Sequence, residues 1–191
     1  MNNKIHIVAF AGSTRKDSFN KRLIRVAAGL AENAGAQVTL LDLADYPMPL
    51  YDGDLESSAG LPEKAGEFKK VLAKADAFII SSAEYNSSIS AVLKNSIDWA
   101  SRPGAVDGSV FDGKTALLIS ASPGGLGGLR GLNHLKDILT NLGVFINNKQ
   151  QALPQAHQSF GENGELKDED TLNRLSALVS GFVAHAHKVK G

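Results

Sequence analysis

Ser13, Thr14, Arg15, Ser18 and Asn20 crowd into one short stretch, Ala11-Gly12-Ser13-Thr14-Arg15-Lys16-Asp17-Ser18-Phe19-Asn20. The hydroxyl and amide groups are neutral hydrogen-bond donors, and the Arg15 guanidinium is a planar charged fork suited to phosphate. An apolar run, Ile5–Phe10, precedes the stretch, and a helical pattern follows it. The first amides of a helix have no partner inside it, and the helix dipole adds partial positive charge there. A loop of this composition between a strand and a helix is therefore an anion site. It lacks the G-x-x-x-x-G-K-[ST] spacing of a nucleoside-triphosphate loop, and no G-x-G-x-x-G follows the strand. A single phosphate monoester fits better than a pyrophosphate, and flavin mononucleotide (FMN) carries one. Taken alone, the segment also reads as a capped helix start with an ordinary surface loop.

A second buried run, Ala75–Ser81, leads into Ser82-Ala83-Glu84-Tyr85-Asn86-Ser87-Ser88-Ile89-Ser90 and then Ala91-Val92-Leu93-Lys94-Asn95-Ser96-Ile97-Asp98-Trp99. A third segment, Ser120-Ala121-Ser122-Pro123-Gly124-Gly125-Leu126-Gly127-Gly128-Leu129-Arg130, follows a later strand. Its Gly125-x-Gly127 would need Gly at position 130 to make the dinucleotide fingerprint, and that residue is Arg130. Its glycines instead let backbone amides come close to a flat ring.

Together these segments resemble the NAD(P)H-dependent FMN reductases, a family that includes bacterial quinone, chromate and azo-dye reductases. The family's first loop reads G-S-x-R-x-x-S-x-N, matched by Gly12-Ser13, Arg15, Ser18 and Asn20. Its second reads T-P-E-Y-N-x-S-x-P-G-x-L-K-N-x-I-D-W. Glu84-Tyr85-Asn86, Ser88, Leu93-Lys94-Asn95 and Ile97-Asp98-Trp99 match it. The resemblance runs from Ile5 to about Gly143. Ser82-Ala83 replaces Thr-Pro, which removes a rigid residue, and Ser90-Ala91 replaces Pro-Gly, which adds a methyl where backbone would approach the ring. The resemblance implies phosphate binding by Ser13, Arg15, Ser18 and Asn20. It implies ring and ribityl contacts from Glu84, Tyr85, Asn86, Gly124 and Gly125, with Tyr85 beside the ring's reactive edge. It also implies NAD(P)H as co-substrate, a quinone, azo dye, chromate or free flavin as acceptor, and a homodimer or homotetramer. No catalytic side chain is then expected, because a flavin carries hydride itself.

The elements that must position these loops alternate. Strands are expected at Ile5–Phe10, Gln37–Asp42, Ala77–Ser81, Thr115–Ser120 and, briefly, Val144–Asn147. Helices are expected near Asn20–Asn33, Pro62–Lys74, Ser90–Ser101, Leu129–Leu142 and Asp168–Lys188, with an irregular stretch at Leu43–Gly60. Strands apolar on both faces between helices give a covered parallel sheet. The expected architecture is α/β, flavodoxin-like and doubly wound, five strands in the order 2-1-3-4-5, with the ligand at the carboxyl ends of strands one and three. Residues 1–191 read as a single domain.

Composition narrows the function. The chain has 191 residues, 43% of them hydrophobic, with 20 basic and 20 acidic side chains. Zero net charge disfavours nucleic-acid binding and the acidic surface of an electron carrier. Without Cys there is no thiol nucleophile or thiolate metal site. His134, His185 and His187 lack a second His at i+4 with a nearby Glu, so no metal site is expected. His6 reads as packed and His157 as a loop residue. Lys94 and Asp98 suit a surface pair, while Asp98, Trp99 and Arg102 suit a subunit contact. Met1-Asn2-Asn3-Lys4 leads straight into the first strand with no signal-peptide core, and no apolar run approaches the ~18 residues of a membrane span. The expected location is the cytoplasm, with no nucleic-acid or membrane partner. Two rival readings are a flavodoxin-type electron carrier and a flavin-free interaction domain on the same fold.

Overall fold

Three strands with every or nearly every side chain buried form the centre of the molecule: β1 (His6–Ala11), β3 (Ala77–Ser81) and β6 (Thr115–Ala121). The computed structural model describes residues 4–190, so Met1–Asn3 of the N-terminal segment and Gly191 lie outside it. β2 (Gln37–Leu41) joins β1 at one edge and β7 (Phe145–Ile146) joins β6 at the other, giving the parallel order β2-β1-β3-β6-β7. In register, Ala9 lies between Leu40 and Ile79, and Ile79 pairs Leu117.

The period-two alternation of the strands divides the core into two layers. Ile7, Ala9, Ile79, Leu117 and Ile119 face α1 (Phe19–Asn33) and α7 (Glu169–Val189). Val8, Phe10, Phe78, Ile80 and Leu118 face α3 (Glu63–Ala73), α4 (Ala91–Ala100) and α5 (Leu129–Asn141). This is the doubly wound arrangement expected from the alternating apolar runs.

Four local features depart from the expectation. The fifth sheet position is split in two. β7 (Phe145–Ile146) pairs with Thr115–Ala116, and β8 (Gln151–Leu153) pairs with Ile119–Ala121. The polar residues Asn147-Asn148-Lys149-Gln150 lie between them, where weak strand formers let the ladder lapse. The stretch read as irregular contains a 3-10 turn, Leu43–Asp45, and a helix, α2 (Gly53–Ala59). No residue of α2 is buried, so it has no apolar periodicity to read. Asp52 caps it, accepting from the Asp54 amide at 2.8 Å. His157 lies in a short helix, α6 (Ala156–Ser159), and not in a loop. A two-strand hairpin, β4 (Glu84–Tyr85) with β5 (Ser88–Ile89), occupies the second loop.

Trp99 is not a surface anchor. It is fully buried within the chain, its indole N–H donating to the Pro49 carbonyl at 2.9 Å and its ring meeting Tyr51 edge-on at 5.0 Å. Asn95 closes the same strap, donating to Pro49 O and accepting from the Tyr51 amide. Arg102 stacks over the Tyr51 ring at 5.6 Å. Lys94 pairs with Asp98 at 2.8 Å, as the i,i+4 spacing predicts. His6 is half-buried, with its ring nitrogens on Lys74 O and Thr39 Oγ1, both at 2.8 Å.

Lys114 caps the carboxyl end of α3, donating to Leu72 O at 2.8 Å and Ala73 O at 3.3 Å. Burial pushes its pKa down to about 8, partly offset by the Asp76 charge. The unfolded chain holds this proton up to about 10.4. Between those values the unfolded state binds more protons, so this group makes stability rise with pH. Thermal melts should show a contribution that grows from about pH 8 to pH 10 in the parent chain. That contribution should be absent from Lys114→Met, and identical pH profiles for the two proteins would refute it.

Candidate functional site

The chain leaves β1 through Gly12, whose amide still donates to Ser81 O at 2.9 Å. A Cβ at Gly12 would sit 2.8 Å from Leu93 Cδ2, so glycine lets the loop pack directly on α4. The Ser90 hydroxyl holds Gly12 O at 2.7 Å and also caps α4 by accepting from the Leu93 amide. Ser13 is buried, and its Oγ accepts from the Arg15 amide at 3.3 Å. Ser18 takes the extended conformation of an N-cap and accepts from the Lys21 amide. These contacts place the start of α1, where the first amides lack helical acceptors, at the lining of a cleft.

The cleft has a volume of about 190 Å³. Ser13, Arg15, Ser18 and Asn20 line it from the first loop, Glu84 and Tyr85 from the second, and Ser122 and Pro123 from the third. Six of the nine residues singled out in the sequence thus meet at one place. Asn86, Gly124 and Gly125 flank the cleft without lining it. Asn86 and Ser87 have φ of 50° and 66° and form the tight turn of the β4–β5 hairpin, a conformation Asn tolerates well. Gly124 and Gly125 are exposed, with open space where a Cβ would stand at Gly125.

Ala83, at the position of the family's Pro, is buried and lines the cleft, whereas Ala91 is the exposed first residue of α4 and lies outside the lining. The Ala91 methyl therefore does not crowd the cleft. Phe19, Ala121, Ser122 and Pro123 also line it. Phe19 lies inside the first motif at an unspecified position, and the other three lie inside or beside the glycine-rich segment, so only their proximity to the motifs could have marked them.

The glycines that this backbone itself requires are Gly127 and Gly128, with φ of 63° and 95°. A Cβ at Gly127 would lie 2.7 Å from the Leu153 carbonyl carbon and Pro154 nitrogen, and one at Gly128 would lie 2.9 Å from Ser120 Cβ. Ser120 Oγ fixes the same turn by donating to Gly127 O at 2.8 Å.

Asn20 is buried beneath the cleft. Its Oδ1 accepts from Ser81 Oγ and from the Ala121 amide, and its Nδ2 donates to Ala121 O, each at 2.9 Å. One side chain thus ties the start of α1 to the ends of β3 and β6.

The first-loop side of the cleft suits an anion, and the Glu84 carboxylate contributed by the second loop is paired with Arg130 at 3.4 Å. The first turn of α1 carries no acidic residue, and exposed Arg15 has no acidic partner among the described ion pairs. Outside the cleft lining, Lys21 meets Asp42 at 2.6 Å. Partial burial opposes ionisation of Asp42, but the Lys21 and Ala44 hydrogen bonds prevail and lower its pKa. A larger cleft of about 540 Å³ lies between the β8 region and α7, lined by Lys149, Gln151, Arg174 and Leu178. It receives neither the first loop nor a helix start free of acidic residues, so it lacks the donor set of the smaller one.

The sequence model of the family described as NADPH-dependent FMN reductase matches residues 5–158, beyond the span of the motifs. An NAD(P)H:quinone oxidoreductase of Solanum tuberosum is 36% identical, covering 98% of this chain and 95% of its own. A quinone reductase of Escherichia coli strain K12 is 32% identical over the whole of both chains. Among solved structures, FerB, a flavoenzyme NAD(P)H:(acceptor) oxidoreductase from Paracoccus denitrificans, superposes with a TM-score of 0.83 at 33% identity. That match covers 96% of this chain and 98% of FerB.

The Asn20 geometry generates a test. Asn20→Ala leaves the Ala121 amide and carbonyl and the Ser81 hydroxyl without partners in the core. The cost should be about 2–4 kcal/mol, or roughly 4–16 °C in melting temperature for a chain of this size. Arg15→Ala, at an exposed position, should melt within about 2 °C of the parent. A cofactor-free melt of Asn20→Ala that matches the parent would remove Asn20 from its place as the joint.

Proposed function

The chain belongs to the NADPH-dependent FMN reductase family, and on that premise we propose that it is an NAD(P)H-dependent flavoenzyme passing hydride through one FMN to a quinone or a similar small acceptor. The observation that carries this reading is the cleft itself. Three loops from the carboxyl ends of β1, β3 and β6 close on the start of α1, whose first turn carries no acidic residue, and on an arginine with no acidic partner among the described ion pairs. That donor set is phosphate-sized, neutral apart from Arg15, and continuous with an open face.

Ser13, Ser18, Arg15 and the first amides of α1 would hold the phosphate. The cleft is smaller than the roughly 300–1,000 Å³ typical of whole ligand sites, so it accommodates the phosphate and sugar-alcohol chain. Tyr85 and the backbone at Gly124 and Gly125 would hold the ring at the open face of the cleft. Bound FMN supplies the chemistry, taking hydride from the nicotinamide and giving it to the acceptor. The chain's residues would anchor the phosphate and orient the ring, with exposed Tyr85 beside it. Nicotinamide and acceptor would take turns on the open face, so the kinetics should be ping-pong.

The zero net charge weighs against the electron-carrier alternative. We read residues 1–191 as one domain, because α7, beyond the family match, packs into the same core layer as α1. We further infer a cytoplasmic protein that assembles as a homodimer or homotetramer. No described helix is long and apolar enough to cross a membrane.

Purified protein reconstituted with FMN should be yellow and release FMN, not FAD, on denaturation. NAD(P)H alone should bleach it, and a quinone should restore the colour. A flavin that neither nicotinamide reduces would favour the electron carrier. Arg15→Ala should weaken FMN about ten- to a hundred-fold, since a charged hydrogen bond contributes about 1.5–3 kcal/mol. A fluorescence titration showing equal affinity would place Arg15 outside the site.

A further inference from the structure

We propose that Glu84 is a positioning residue which caps α5 from outside and thereby locks the Tyr85 hairpin to the glycine-rich loop. This deepens the reading of the cleft as an FMN site and rests on it.

α5 begins without a cap of its own. Its N-cap position is Gly128, which has no side chain to offer, and no acidic residue lies in the first turn. The amides of a first helical turn need acceptors, and the positive end of the helix favours a carboxylate. Glu84 supplies both from β4. Its Oε2 accepts from the Gly131 amide at 2.9 Å, the third position of the helix and the one a capping side chain ordinarily serves. Its Oε1 lies 3.4 Å from Arg130 Nε. The side chain is only 12% exposed, so water competes weakly for these contacts.

Two further observations show that the hairpin is seated on α5. A Cβ at Gly131 would lie 3.4 Å from Glu84 Cβ and 3.3 Å from Ser88 O, so hairpin and helix touch where glycine allows it. The other strand is tied as well, since His134 Nδ1 lies 2.9 Å from Ser88 Oγ. Glu84 thus holds β4, and His134 holds β5, on the helix that the glycine-rich loop enters. Tyr85 stands on one wall of the cleft and Pro123 on the facing loop. With the clamp intact, the two walls of the ring platform move together. Without it, the His134–Ser88 contact remains as the side-chain tie between hairpin and helix, with Ile89 still packed in the core.

The test is residue-resolved amide hydrogen exchange on the cofactor-free full chain. Glu84→Ala should speed exchange at Gly131 at least tenfold and raise it across residues 84–89, leaving the β1, β3 and β6 amides unchanged. Glu84→Gln retains an acceptor oxygen and should stay within about threefold of the parent. Should Glu84→Ala fail to fold, Glu84→Asp gives the same readout, because its carboxylate falls one methylene short of Gly131. Arg130→Ala should leave Gly131 protected. In the FMN-loaded enzyme, Glu84→Ala should raise the KM for NAD(P)H at least fivefold. Unchanged exchange at Gly131, or acceleration spread evenly over the whole sheet, overturns the clamp. An unchanged KM overturns its link to the ring platform. If the parent binds no FMN, the cofactor reading falls while the exchange data still decide the clamp.

Discussion

The side-chain amide of Asn20 meets a need that every parallel sheet has at its carboxyl edge. There the strand ladder ends, yet the backbone is still buried and still requires partners. At Ala121 both the amide and the carbonyl pair with Asn20, and the Ser81 hydroxyl donates to the same Oδ1. Because Asn20 belongs to the first turn of α1, the ends of β3 and β6 are fixed relative to the helix that presents the anion-binding amides. The three loops of the cleft inherit their mutual placement from this one buried contact. A carboxylate of the same shape could not donate to Ala121 O, and an apolar side chain could meet none of the three groups.

Around that joint the loops are held by close backbone approach and short hydroxyl side chains. Gly12 rests on Leu93, Gly127 on the Leu153–Pro154 peptide, and Gly128 on Ser120. Ser90 and Ser120 each tie a loop carbonyl to a neighbouring element. Such contacts leave little bulk at the rim, which keeps the face above the cleft open to a flat molecule. The Phe19 and Asn20 amides, which precede the capped Lys21 amide and have no helical acceptor, and the Arg15 guanidinium set the charge preference of the cleft.

The opposite concern, unwanted pairing at the sheet's free edge, is met by interruption. β7 and β8 are two and three residues long, and the segment between them carries exposed Lys149. A short, broken, charged edge is a poor template for another strand. The same break opens the larger cleft beside α7, which explains a sizeable cavity far from the loops that carry the chemistry.

The sequence by itself determined the sheet order, the two core layers and the location of the cleft. Those depend on local patterns: apolar runs at β1, β3 and β6, helical periodicity at α1, α3 and α5, and three motif-bearing loops after buried strands. Ser13, Arg15 and Ser18 were legible as cleft residues because a helix start offers donors wherever it occurs. Only the tertiary structure decided what the remaining polar side chains do. The motif places Asn20 and Glu84 near a cofactor, but spacing cannot show that the Asn20 oxygen is taken by Ala121 and Ser81, or that the Glu84 carboxylate is turned onto α5. Trp99 could be an interface anchor or a core residue until the Pro49–Tyr51 strap is seen covering it. Helix α2 and the divided fifth strand escaped notice because one buries nothing and the other is broken by four polar residues. In each case the deciding partner lies far along the chain, Asn20 being 101 residues from Ala121 and Glu84 47 from Gly131. A side chain's use is set by the partner that satisfies it, and folding alone brings that partner within reach.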